Sequence, residues 1–199
     1  MAGTGLRIAD FLAQVPPGLL DSEGAFVARY PFPFLLQEAT GSVTAALPAA
    51  GDRSTVRVPK RAVPPTGGGF SEGDVTVFRV CPRDLERNEG AVTLGRDGEC
   101  DVVVDDPTIS LRHAAFTIEA APKDDDEDDG RAFFVADLDS SNGTFVDGEP
   151  LAKGARRQVD DQTSLRFGPA VKMQFFTARG FFQFLEFFRR MKTKKKKAP

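Results

Sequence analysis

Near the start of the chain the apolar positions recur at helical spacing. Ile8, Phe11, Leu12 and Val15 lie three or four residues apart, which predicts an amphipathic helix. Pro16 and Pro17 end it, since proline lacks the backbone N–H and restricts the residue before it. Tyr30-Pro-Phe-Pro-Phe-Leu-Leu36 follows as a short apolar run expected to be extended where ordered. From Ala39 the sequence turns to Gly, Pro, Ala, Ser and Thr and closes on Pro64-Pro-Thr-Gly-Gly-Gly69. That composition offers too little apolar surface to offset the entropy of ordering, so it reads as a flexible linker.

The period then changes. Short β-rich runs recur at residues 76–80, 91–94, 102–104, 114–118, 133–136, 144–146, 165–167 and 172–176, with Gly, Asp, Pro and Asn in the gaps. Many short strands between turns, with no helices between them, predict an all-β, two-sheet antiparallel β-sandwich. Asp147-Gly148 reads as a hairpin turn because both residues tolerate positive φ. Beyond Arg179 the helical period returns: Phe181, Phe184, Leu185, Phe188 and Met191 share one face, and a lysine-rich tail follows. The chain therefore divides into a helical and flexible N-terminal extension (1–73), a β domain (74–178) and a Phe-rich helix with a basic tail (179–199).

Composition narrows the class. With 199 residues and 41% hydrophobic content the chain can bury one ordinary core. No run approaches the roughly 20 apolar residues that span a bilayer. The first twenty residues lack the basic start and apolar stretch of a secretory signal, and two cysteines are too few for a disulfide scaffold, so a reduced, cytoplasmic setting is expected. Tryptophan is absent while phenylalanine occurs 18 times, so aromatic packing rests on Phe rings. The net charge of −3 hides segregation into an acidic run, Asp124 to Asp129, and a basic one, Arg189 to Lys197.

Four segments carry candidate chemistry: Leu94-Gly95-Arg96, Ser110-Leu111-Arg112-His113, Asp137-Leu-Asp-Ser-Ser-Asn-Gly-Thr144 and Val146-Asp147-Gly148. In this order, at strand ends, they resemble the forkhead-associated (FHA) domain family, in a bacterial member of it, over about half of the chain. The resemblance implies a phosphothreonine-peptide-binding domain. Such a ligand carries nearly two negative charges and three acceptor oxygens, and it calls for a guanidinium fork, hydroxyls and backbone N–H groups converging from loops. By position, Arg96 is then the arginine that grips the phosphate, Ser110 the serine that donates its hydroxyl, and Ser141 a further phosphate contact. Asn142 matches the asparagine that bonds the peptide backbone, and Arg112 a second basic contact. His113 is implied to orient the loops by hydrogen bonding, with Gly95 and Gly143 in structural support. Leu111 and Asp147 depart from the common family residues without removing a phosphate contact.

The expected function is a signalling adaptor that docks onto threonine-phosphorylated proteins, a serine/threonine kinase among them. The alternative is a phosphate-independent scaffold that works through its terminal segments. Enzymatic activity is not expected. The single histidine has no triad or metal partners around it, and the chain shows no phosphate-binding P-loop, metal cluster or activated nucleophile. No cofactor is expected. Nucleic acid and an anionic membrane surface are secondary readings of the basic tail. Thr55, within Arg53-Ser-Thr-Val-Arg57, is a further candidate for phosphorylation and for occupying the chain's own site.

Overall fold

In the computed structural model, residues 5–38, 75–84, 90–120 and 130–195 are described. Most of the linker, Thr55, the acidic run and the end of the basic tail lie outside these residues.

The chain opens with β1 (Leu6–Arg7), α1 (Ile8–Gln14), α2 (Glu23–Arg29) and β2 (Phe34–Glu38). The strands that follow are β3 (Val75–Arg79), β4 (Ala91–Gly95), β5 (Val102–Val103), β6 (Ala114–Ala120) and β7 (Arg131–Asp137). They continue with β8 (Thr144–Val146), β9 (Glu149–Pro150), β10 (Arg156–Val159), β11 (Ser164–Phe167) and β12 (Val171–Phe176), and α3 (Ala178–Lys195) closes the fold. One sheet has seven strands in the order β1-β3-β2-β12-β11-β8-β9, and the other has five, β10-β7-β6-β4-β5. All pairs are antiparallel except the short pair β4–β5, which runs parallel. This is the expected two-sheet sandwich with a C-terminal helix.

Alternation builds the inter-sheet core. In β12, Val171, Met173 and Phe175 are buried against Leu94, Phe116, Phe133, Val135, Leu165 and Phe167. The neighbouring Phe176 faces the other way, joining Phe34, Leu36 and Val77 in a second apolar cluster on the outer side of the seven-stranded sheet. There α1, α2 and α3 cover the sheet through Ile8, Phe11, Phe26, Phe181, Phe182, Leu185 and Phe188. β2 is thus buried on both faces, which explains why Phe34-Leu-Leu36 reads as an unbroken apolar run and not an alternating one.

The N-terminal segment therefore contributes more to the sandwich than its composition suggests. β2 lies between β3 and β12, with Leu35 paired to Phe78 on one side and Phe175 on the other. The apolar face of α3 packs on this same chain: Phe181 stacks on Phe34 at 4.1 Å between ring centroids and meets Phe11 at 5.4 Å. Polar contacts fix the start of α3. The Asp161 carboxylate accepts from the Thr177 N–H (2.6 Å) and hydroxyl (3.0 Å), the Thr177 hydroxyl accepts from the Gly180 N–H, and Arg179 pairs with Glu23 of α2. Among the described residues no helix is long and apolar enough to cross a membrane.

The helix α2, the strand β10 and the two-residue strands β1 and β9 escape the sequence pattern. α2 buries only Phe26, and it is started by the Ser22 hydroxyl, which accepts the Ala25 N–H. β10 reads Arg-Arg-Gln-Val, with Val159 its one apolar residue. It forms because β7 offers it a full ladder and because Arg156 lies over the Phe134 ring and pairs with Glu119. The expected turn at Asp147-Gly148 is present with φ of 51° and 85°.

Because Phe181 joins both terminal segments to the sheet, Phe181→Ala should cost about 3–5 kcal/mol in urea denaturation. Wild-type stability in that variant would show that α3 is not integral to the fold.

Candidate functional site

Three loops meet at the end of the sandwich where β4 finishes, β6 begins and β7 leads into β8. Arg96 follows β4 directly, and backbone bonds carry the β4–β6 pairing past its last rung. The Arg96 N–H donates to the Ser110 carbonyl (2.9 Å), the Asp97 N–H to the Leu111 carbonyl (3.0 Å), and the His113 N–H to the Leu94 carbonyl (2.8 Å). This close approach requires Gly95: a β-carbon there would stand 2.1 Å from the Leu111 carbonyl oxygen. The Arg96 side chain is exposed and steadied by its Nε, which donates to the Ile109 carbonyl at 3.2 Å.

The loop after β7 is organised by a buried carboxylate. Asp137 accepts from the Ser140 N–H (2.9 Å), the Ser140 hydroxyl (2.7 Å) and the Thr144 hydroxyl (2.7 Å). Burial pushes its pKa up, but the bonds from Thr144 and Ser140 outweigh burial and hold it below the ordinary carboxylate value. The Ser140 oxygen in turn accepts from the Gly143 N–H at 2.9 Å, and Gly143 sits at φ +76°, where a side chain would be strained. Asp139 is exposed at φ +59° and paired with Lys153.

Two further bonds join the loops. The Ser141 N–H donates to Ser110 Oγ (3.0 Å), and Asn142 Nδ2 donates to the Thr108 carbonyl (2.8 Å). As an acceptor in this bond, the Ser110 hydroxyl keeps its own hydrogen for another partner. Asn142 likewise keeps its carboxamide oxygen. Thr108 is fixed by Asp106, which accepts both its N–H (2.8 Å) and its hydroxyl (2.5 Å). These bonds bring Arg96, Ser110, Ser141 and Asn142 together, and Arg112 is exposed on the same loop as Ser110.

His113 is fully buried beneath them. The Ser110 N–H donates to its Nδ1 (3.2 Å), and Nε2 lies 3.2 Å from the Gly143 carbonyl, which also accepts the Gly168 N–H. An amide can only donate and a carbonyl can only accept, so both bonds require the neutral ring with its hydrogen on Nε2. Burial holds the pKa below the ordinary imidazole value, against the opposing pull of the Gly143 carbonyl and Asp137. The ring packs edge-on to Phe167 at 5.7 Å. The resemblance implied a loop-orienting role for His113, whose ring contacts both loops here, whereas Thr108, Asp106 and Ser140 were given no role from the sequence. The Asp106-x-Thr108 and Asp137-x-x-Ser140 spacings were the available signals, since Asp and Ser side chains bond nearby backbone N–H groups in turns.

No group of three or more metal-ligating side chains occurs among the described residues. Burial raises the pKa of both Cys81 and Cys100, so neither offers a thiolate at neutral pH.

The sandwich thus gathers arginine, hydroxyl and amide groups on three loops at one end. Residues 92–168 match the family described as FHA domain. The glycogen accumulation regulator GarA of Mycolicibacterium smegmatis is 36% identical over 74 residues, covering 37% of this chain and 40% of that protein. The serine/threonine-protein kinase cds1 of Schizosaccharomyces pombe is 33% identical over 92 residues, covering 46% of this chain and 19% of that one. The chain thus spans about two fifths and one fifth of these relatives. The yeast Dun1 FHA domain, solved by NMR with a doubly phosphorylated peptide from Rad53, aligns at 21% identity and a TM-score of 0.46, covering 74% of this chain and 75% of that one.

The depressed His113 pKa sets the sign of a pH effect. Stability from the neutral ring is fully present above the unfolded value of about 6.5 and is lost as pH falls through the folded pKa. Urea midpoints measured between pH 7.5 and 5 should therefore fall for the wild type and fall less for His113→Gln; equal slopes would remove the assignment. Gly95→Ala should cost roughly 1–3 kcal/mol in the same assay, because the added carbon meets fixed backbone.

Proposed function

We propose that this protein is a phosphothreonine-reading adaptor that docks onto partners phosphorylated by serine/threonine kinases, and that it acts by binding and not by catalysis. The observation that carries this reading is the bonded apex in which Arg96, Ser110 and Asn142 converge from three loops. Arg96 supplies a charged, planar donor to the phosphate, and Ser110 supplies the hydroxyl hydrogen left over from its bond with Ser141. Ser141 and Arg112 complete the anion-binding rim. Asn142, anchored to Thr108 through one amide hydrogen, presents its carboxamide to the peptide backbone. Gly95, His113 and Gly143 hold these groups in place without touching ligand.

The family match over residues 92–168 supports the reading, as does the description of GarA as a regulator. A cytoplasmic site of action follows from a ligand made by intracellular kinases. The scaffold alternative loses ground to one observation: the apolar face of α3 that would serve it is occupied by this chain's own Phe11, Phe26 and Phe34.

Fluorescence anisotropy with phosphothreonine peptides and their unphosphorylated counterparts tests the proposal. The wild type should bind only the phosphorylated set. Arg96→Ala should weaken binding by about 1.5–3 kcal/mol, the loss expected for one charged hydrogen-bonding group. Equal affinity for both peptide sets, or for wild type and Arg96→Ala, would refute it.

A further inference from the structure

Among the described residues, the large apolar side chains left exposed are Leu111, Ile118 and Leu138. Two of the three stand in the apex: Leu111, 56% exposed, between Ser110 and Arg112, and Leu138, 37% exposed, on the loop that carries Ser141 and Asn142. Single exposed leucines are common on protein surfaces and need no explanation of their own. These two differ in how firmly their backbones are held.

The Leu111 carbonyl accepts from the Asp97 N–H at 3.0 Å and from Cys100 Sγ at 3.3 Å, and Gly95 lacks a β-carbon where that carbonyl arrives. The flanking Ser110 carbonyl accepts from the Arg96 N–H, and the Ser110 N–H donates to His113. Leu138 is fixed in the same manner. Its N–H donates to the His113 carbonyl at 2.9 Å, adding a rung beyond the Ala114–Asp137 pair, and Asp137 locks the residues that follow. Both leucines are thus displayed from rigid backbone on the loops either side of His113, so covering them requires little further ordering. Leu111 stands between Ser110 and Arg112, and Leu138 lies three residues before Ser141, so both exposed apolar side chains belong to loops that carry the proposed phosphate-binding groups.

Resting on the phosphothreonine reading above, we propose that Leu111, assisted by Leu138, is a specificity determinant that selects phosphopeptides bearing an aliphatic side chain beside the phosphothreonine. An aliphatic residue there removes its own surface and that of Leu111 from water. A charged residue at the same place loses solvent against the leucine and gains no partner, so one contact both attracts and rejects.

Oriented phosphothreonine peptide libraries, degenerate at the flanking positions, provide the test. The wild type should enrich Leu, Ile, Val or Met at one flanking position. Leu111→Ser should lose that enrichment while keeping the wild-type melting curve, because the side chain supports nothing in the fold; Leu138→Ser should weaken it. The best aliphatic peptide should bind Leu111→Ser about tenfold more weakly, whereas its alanine counterpart should bind both proteins alike. A wild type that binds phosphothreonine peptides without aliphatic preference, or a Leu111→Ser protein that retains the preference, overturns the inference and leaves the phosphothreonine reading standing. Failure of the wild type to bind any phosphothreonine peptide removes both.

Discussion

The Ser110 amide and the Gly143 carbonyl, on different loops, are joined through a single imidazole that must carry its hydrogen on Nε2 and none on Nδ1. Protonating His113 would place a second donor against the Ser110 N–H, and replacing it would leave that N–H without its partner and the Gly143 carbonyl with the Gly168 N–H alone. The apex depends on that bridge. Arg96 takes its position from Ser110 and Ile109, Ser141 from Ser110, and Asn142 from Thr108, on the loop that leads into Ser110. Asp137 plays the matching part on the other loop, where one carboxylate receives three donors and sets the turn that brings Gly143 to His113. The exposed polar side chains of the apex thus stand on a buried, hydrogen-bonded frame, which is how a surface site is kept rigid.

Beneath the frame, the seven-stranded sheet is packed from both sides. Phe175 and Leu35 face the second sheet, whereas Phe176, Phe34 and Leu36 face the helices. The helical layer is assembled from opposite ends of the chain: Phe11 and Phe26 come from the N-terminal part and Phe181 and Leu185 from α3. Arg179–Glu23 and the bond from Arg189 to the Leu20 carbonyl tie the same two parts together at the surface. Residues 92–168 supply the apex, but the sheet that supports it includes strands from well outside that segment.

The pattern of the sequence made the sandwich legible because most of its strands alternate, as in β7 and β12, or end in recognisable turns such as Asp147-Gly148. The apex residues were legible only as a constellation: Arg96, Ser110, His113 and Asn142 are unremarkable one at a time, and their meaning came from family resemblance. What stayed hidden did so for physical reasons. β10 carries one apolar residue and owes its conformation to β7, so no local signal existed. β2 was visible as an apolar run, but nothing local to it states that it inserts between β3 and β12. Asp106 bonds Thr108 within a local turn, but that the Thr108 carbonyl receives Asn142 follows only from tertiary proximity.

The pairing of β2 with β3 separates covalent continuity from mechanical continuity. Glu38 and Val75 are partners across a ladder, so the ends of the intervening segment are already closed by strand pairing. Lengthening such a closed segment is thermodynamically inexpensive, about 0.6 kcal/mol for each doubling. A peptide bond cut anywhere within it would leave two fragments still interlocked, since β2 remains held on both edges and its Phe34 remains stacked beneath α3. The region between residues 38 and 75 can therefore gain, lose or exchange sequence while the body of the molecule keeps its shape.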